Sequence, residues 1–162
     1  MPTQVIRPNS AEKANNKNLS IFLAGSIEMG SAEDWQKVLI SEILQMNKNI
    51  TIYNPRRDDW DSSWVQEQAN PQFNHQVNWE LNSLDVSDII FMYFSPETKS
   101  PISLLELGLN AANKKMIVCC PDGFWRKGNV DVVCSRMGIP LFTDMKSAIG
   151  ALKTKINQYA RD

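Results

Sequence analysis

The chain has 162 residues, 43% of them hydrophobic and 22% charged, the composition of one globular domain with a full core. Seventeen basic residues against eighteen acidic ones leave a formal net charge of -1, which argues against a broad electrostatic surface for a nucleic-acid polymer or an anionic membrane. Apolar stretches such as "DIIFMYF" fall far short of the roughly 20 residues of a membrane span, so a small neutral or mildly charged ligand fits better.

The first 18 residues are polar, Asn-rich and aperiodic, and read as a poorly ordered arm preceding a single domain over residues 19–162. They lack the apolar core of a signal peptide, so a cytoplasmic location is expected. "LSIFLAGS" reads as a buried strand ending in small residues. "SAEDWQKVLISEILQM" follows as an amphipathic helix, with Ser31 as its cap and Asp34 three residues on. "ITIYNP" is a short strand, "NPQFNHQVNWELNSLDVS" a helix, and "DIIFMYF" a strand buried on both faces. "PISLLELGLNAAN" is a helix with Pro101 near its first position, followed by the strand "KMIVCCP". "NVDVVCSRMG" is a helix ending at Gly138, "IPLF" a short strand, and "DMKSAIGALKTKINQYA" the closing helix.

Five strands alternating with five helices predict an α/β, flavodoxin-like (Rossmann-like) three-layer sandwich around a five-stranded parallel sheet. Three cysteines, an odd number without zinc spacing, read as core thiols. In such sheets ligands bind outside the carboxyl ends of the strands. The loops to inspect are therefore "AGSIEMG", "NPRRDDWDSSWVQEQANPQFN", "SPETKS" and "PDGFWRKGN", all longer, more polar or more aromatic than a turn requires.

In "AGSIEMGSA", Gly25 and Ser26 precede a helix, so backbone amides there suit an anion or a sugar hydroxyl; a plain flexible turn is the alternative. The glycine spacing matches neither the dinucleotide fingerprint nor the P-loop, and no cofactor is expected. "NPRRDDWDSSW" mixes Arg57, Asp58, Asp59, Trp60 and Trp64, a set suited to hydrogen-bonding and stacking on a polar ring, or to internal ion pairs in a solvated loop. His75 reads as a surface or capping residue. Glu80 in "NWELN" either faces water or serves the site, and Asp88 terminates its helix or caps the next strand.

Glu106 stands apart because Leu104, Leu105 and Leu107 surround it on a helix that lies against the sheet. An unpaired buried carboxylate is costly, so it is paired, protonated or used. A structural ion pair with Arg56 or Arg57 is one answer. The other is a nucleophile at a carbon bearing a leaving group.

Taken together, "IFLAGSIEMG", "YNPRRDDW", "VNWELNSLDVSDIIFMYF", "SPISLLELG" and "CCPDGFWRKGNVDVVC" resemble the nucleoside 2-deoxyribosyltransferase family over roughly residues 20–142. The resemblance implies transfer of 2-deoxyribose between nucleobases with retention, through a covalent deoxyribosyl ester on Glu106. It implies that Glu80 holds the sugar or assists the base, and that Asn129 or Asp131 approaches the sugar of a neighbouring subunit in a homo-oligomer. 2-Deoxynucleosides and free nucleobases are the implied partners. Two positions depart from the pattern: Phe22 stands where some members have Tyr, and Ser100 stands where the transferases have an Asp that protonates the leaving base. Ser100 and the "GSI" after the first strand resemble instead the related 2-deoxynucleoside 5-monophosphate N-glycosidases, in which hydroxyls receive the phosphate. Asp58 or Asp59 is the candidate to replace the missing base-side acid, and hydrolysis of the same bond, with water in place of the acceptor base and the same residues, is the alternative activity. A non-enzymatic flavodoxin-like module fits less well, because "AGSI" and "FSPE" stand where a phosphoacceptor receiver needs acidic residues.

Overall fold

A computed structural model describes residues 2–27, 32–57 and 63–159. Among these, six strands form one parallel sheet: β1 (Gln4–Ile6), β2 (Leu19–Gly25), β3 (Ile50–Tyr53), β4 (Ile89–Tyr93), β5 (Met116–Cys119) and β6 (Leu141–Phe142). They lie in the order β1-β3-β2-β4-β5-β6. Helices α1 (Trp35–Leu44), α2 (Pro71–Val86), α3 (Pro101–Asn110), α4 (Lys127–Met137) and α5 (Met145–Tyr159) cover the sheet. The flavodoxin-like class holds. The strand count is corrected from five to six, because the polar N-terminal segment supplies an edge strand.

Strict alternation along the strands sorts the core into two layers. Phe22, Ala24, Ile90, Met92 and Phe94 face Leu84 of α2, Leu107 of α3, and Val130 and Cys134 of α4. Ile21, Leu23 and Phe91 face Trp35, Leu39 and Ile43 of α1, and Ala148, Leu152 and Ile156 of α5. All three cysteines are free and buried, as read from the sequence, and burial pushes the thiols of Cys120 and Cys134 up to about 11.

Local chemistry sets the ends of the helices. Ser31 lies outside the described residues, and the cap of α1 is Asp34, whose carboxylate accepts from the Lys37 amide at 3.1 Å. Asn70 caps α2 in the same manner, with Pro71 at the first helical position. Gly138, at φ 67°, closes α4. Asp88 ties two strand starts together, its Oδ2 accepting from the Ser20 amide at 2.8 Å and the Ser20 hydroxyl at 2.9 Å.

The chain leaves β2 toward β3 on one side and then crosses to β4 on the other. Strand order thus reverses between β2 and β4, the position at which α/β sheets open a crevice at their carboxyl ends. Gly25 and Tyr93, the last residues of the two strands, pair across that point. No described helix is long and apolar enough to cross a membrane.

Candidate active site

A cavity of about 610 Å³ opens at this reversal. Gly25 at the end of β2 and Ile27 beyond it, Pro55 and Arg57 after β3, and Ser100 after β4 line it. Phe73, Gln76, Val77, Glu80 and Leu81 of α2 face Ser103, Leu105, Glu106 and Leu109 of α3 across it. The spacing on α3 explains its two faces: Ser103, Glu106, Leu107 and Asn110 are buried, while Ile102, Leu105 and Leu109 remain 58–62% exposed.

Glu106 is 8% exposed, and no ion pair reaches it among the described residues. The expected alternative, an ion pair with Arg56 or Arg57, is not what these residues form. Arg56 instead donates to the carbonyls of Ala32 at 2.7 Å and Glu33 at 3.1 Å, and reaches Asp34 at 3.9 Å. Arg57 donates to Gln76 Oε1 at 3.3 Å and lies 4.8 Å from the ring centroid of Trp64.

What stands beside Glu106 is a second carboxyl. Burial pushes Glu80 up to about 7, against a smaller downward pull from the Gln76 amide, which donates to Glu80 Oε1 at 2.8 Å. Burial, and then the charge of Glu80, push Glu106 up to about 8. Two carboxyls sharing one low-dielectric site cannot both ionise easily, so the charge on one holds up the titration of the other. Carboxyls whose titrations are displaced in this way can supply an anion and a proton donor at one site.

Ser100 belongs to a cluster of three buried hydroxyls. Its Oγ lies 2.6 Å from Ser26 Oγ and 2.7 Å from Thr98 Oγ1, and Ser26 and Thr98 are 2.9 Å apart. Thr98 donates to the Ser95 carbonyl at 2.9 Å, and Ser26 Oγ accepts from the Ser95 amide at 2.8 Å. The cluster sits at the start of α3, where Ser100 adopts φ 46° and ψ 53° and makes no side-chain cap bond. A left-handed non-glycine residue is uncommon, and here the Ser100 hydroxyl turns to Ser26 and Thr98 instead of capping the helix.

The remaining sequence candidates are dispersed. Asp58, Asp59 and Trp60 lie outside the described residues. Asn129 is exposed and absent from the cavity wall, and Asp131 is held by Lys127 at 2.8 Å. His75 is exposed, with Nε2 3.1 Å from the Pro8 carbonyl, a structural contact. Phe22 is fully buried and packs 6.2 Å from Trp79, so it offers the site no hydroxyl. Two residues were missed. Thr98 completes the hydroxyl cluster, and Gln76 joins Arg57 to Glu80; the one available signal for Gln76 was its position one helical turn before Glu80.

A family model described as nucleoside 2-deoxyribosyltransferase like matches residues 18–124, a span that holds both carboxyls, the hydroxyl cluster and every described wall of the cavity. The chain belongs to that family. Comparison with curated protein sequences returns no match. Among solved structures the chain is similar to a conserved protein from Enterococcus faecalis V583, at 15% identity and a TM-score of 0.61, covering 85% of this chain and 99% of that one. At that identity the likeness speaks for the fold alone. The family match begins at residue 18, so the edge strand β1 lies outside the part of this chain that matches the nucleoside 2-deoxyribosyltransferase like family.

Proposed function

We propose that this chain cleaves the N-glycosidic bond of 2-deoxynucleosides with retention and passes the sugar to a second nucleobase. The observation that carries the reading is the pair itself: half-buried Glu80 and buried Glu106 line one cavity from two helices, and both titrate above the usual carboxylate range. Ionised Glu106 attacks C1′, the C1′–N bond breaks, and its electron pair goes to the base nitrogen, which takes the proton from Glu80. The acceptor base then attacks C1′ from the opposite side, expels Glu106 as a carboxylate and returns a proton to Glu80. Every step uses side chains of the site and no cofactor. Incubation with a deoxynucleoside and a different free base should give a new deoxynucleoside on chromatography. Unchanged nucleosides and monophosphates would reject the reading.

A second reading rests on the hydroxyl cluster. Three buried hydroxyls at a helix start suit a phosphate better than they suit protonation of a base, because hydroxyls donate hydrogen bonds to an anion but are poor acids. Hydrolysis of 2-deoxynucleoside 5-monophosphates is then the activity, with water in place of the acceptor base. Ser100→Ala separates the two: it should raise KM for a monophosphate by about tenfold, one charge-assisted hydrogen bond, and leave KM for the nucleoside unchanged. Equal effects on both substrates would count against phosphate at this cluster.

The exposed Ile102, Leu105 and Leu109, next to Leu81 at the cavity mouth, fit an assembly in which a second copy covers this face and brings its own Asn129 or Asp131 toward the sugar. Light scattering should then give a multimer for the wild-type chain and a smaller species for Leu105→Glu. A monomeric wild-type chain would remove the shared site.

A further inference from the structure

Gln76 is 3% exposed and fully engaged. Its Nε2 donates to Glu80 Oε1 at 2.8 Å and to the Pro55 carbonyl at 3.3 Å, while its Oε1 accepts from Arg57 Nη1 at 3.3 Å. The orientation of this amide is dictated by its neighbours. Turned over, it would set an oxygen against two acceptors and an NH2 against a guanidinium. The amide therefore bridges two of the three charged groups that line the cavity among the described residues, Arg57 and Glu80, with Glu106 facing them from α3.

We propose that Gln76 is a positioning residue for the carboxyl pair: by occupying Glu80 Oε1 it leaves Oε2 as the oxygen that carries a proton whenever Glu80 is neutral, and by its tie to Arg57 it fixes that carboxyl in place. This rests on the reading of Glu80 and Glu106 given above. A neutral Glu80 with its proton on Oε2 keeps Oε1 as a carbonyl oxygen, which still accepts from Gln76, so the bridge holds in both protonation states. In the ionised state the same bond favours the charge on Glu80 over that on Glu106. Attack by Glu106 then needs its proton to pass to Glu80 Oε2, a transfer that leaves the charge of the pair unchanged and loads the acid that the leaving base requires. The same oxygen is offered every time, which is the geometric condition for efficient general acid catalysis.

Two variants test this with two measurements, the pH titration of the Glu80 side-chain carboxyl by carbon NMR and the pH profile of kcat/KM. Gln76→Met removes the donor and keeps the bulk; Gln76→Glu keeps the shape and the acceptor for Arg57 but turns a carboxylate toward Glu80. The Glu80 titration should rise in Gln76→Met and rise further in Gln76→Glu, with the acid limb of kcat/KM moving up in step. In both, kcat should fall between about tenfold and a hundredfold while KM changes by less than about twofold. A packing role predicts the reverse order, since Glu is the closer isostere of Gln. An unmoved Glu80 titration in whichever variant folds overturns the proposal, as does a kcat loss with an unmoved acid limb. The NMR arm reads the bridge without turnover, and Glu106→Ala run beside it shows separately whether the reaction assigned to the pair is the right one.

Discussion

Glutamine in place of Glu106 is expected to lower kcat by at least about 1000-fold, the usual scale for removing a nucleophile, and at the same time to raise the thermal midpoint at pH 8. Activity falls because an amide neither attacks C1′ nor leaves as a stable anion. The stability effect follows from the raised titration of the same group. Unfolded, Glu106 titrates near 4.5; folded, burial and the charge of Glu80 hold it at about 8. The folded chain thus binds more protons, and stability is present below about pH 4.5 and lost as pH rises through about 8. Each unit of displacement is worth about 1.4 kcal/mol. The variant lacks this loss, although its amide needs partners in a buried place and forgoes about 1 kcal/mol where it lacks them. The midpoint of Glu106→Gln minus that of the wild type should therefore be near zero or negative at pH 5 and grow toward pH 8. A difference that does not change with pH would mean that Glu106 is not a proton-sharing group, and near-normal turnover would remove it as the nucleophile.

The legibility of this site in the sequence divides along a physical line. Glu106 was visible because a carboxylate among leucines contradicts its local pattern, and such contradictions concentrate at functional positions. Gln76 was invisible for the opposite reason. A glutamine on a helix beside Asn74, Asn78 and Glu80 reads as part of a solvated face, and only the approach of the Pro55–Arg57 segment buries it. Thr98 likewise lay in a polar turn, "SPETKS", whose fold-back onto Ser26 spans 72 residues of chain. No local periodicity carries that information.

The fold shows the same division. Strands β2 to β6 and all five helices follow from apolar runs punctuated by Gly, Pro, Asn and Ser, since each buries a face of its own. Strand β1 does not. Its three residues sit in a polar stretch and are held from outside it, by pairing of Gln4, Val5 and Ile6 with Thr51, Ile52 and Tyr53 and by the Thr3 hydroxyl on the Lys48 carbonyl at 2.6 Å. An edge strand that buries one side of three residues leaves almost no pattern to read. Asn129 and Asp131, carried over by resemblance, lie off the cavity of their own chain, so any part they play in the proposed reaction requires a neighbour.

Alanine at Gly25 is expected to destabilise the chain by at least about 3 kcal/mol, or about 10 °C in the thermal midpoint, and to keep it from accumulating as folded protein if its reserve is small. Gly25 has φ 132°, outside the conformations that L side chains adopt comfortably. A Cβ there would lie 2.1 Å from the Tyr93 carbonyl oxygen and 2.7 Å from the Tyr93 nitrogen, both backbone atoms with no rotamer to move. Strands β2 and β4 are central in the sheet, and the Ser26 amide donates to that same carbonyl at 2.9 Å, so the clash is relieved only by parting the two strands where the cavity begins. Parting them would also carry Ser26 away from Thr98 and Ser100, so a surviving fraction of Gly25→Ala should bind ligand poorly. Gly150→Ala serves as the control, because on α5 nothing lies within 4 Å of an added Cβ, and helix propensity alone should stabilise that variant by up to about 1 kcal/mol. Thermal unfolding of the two variants side by side decides the matter. A Gly25→Ala chain that melts within about 2 °C of the wild type would mean that β2 and β4 tolerate separation at this point.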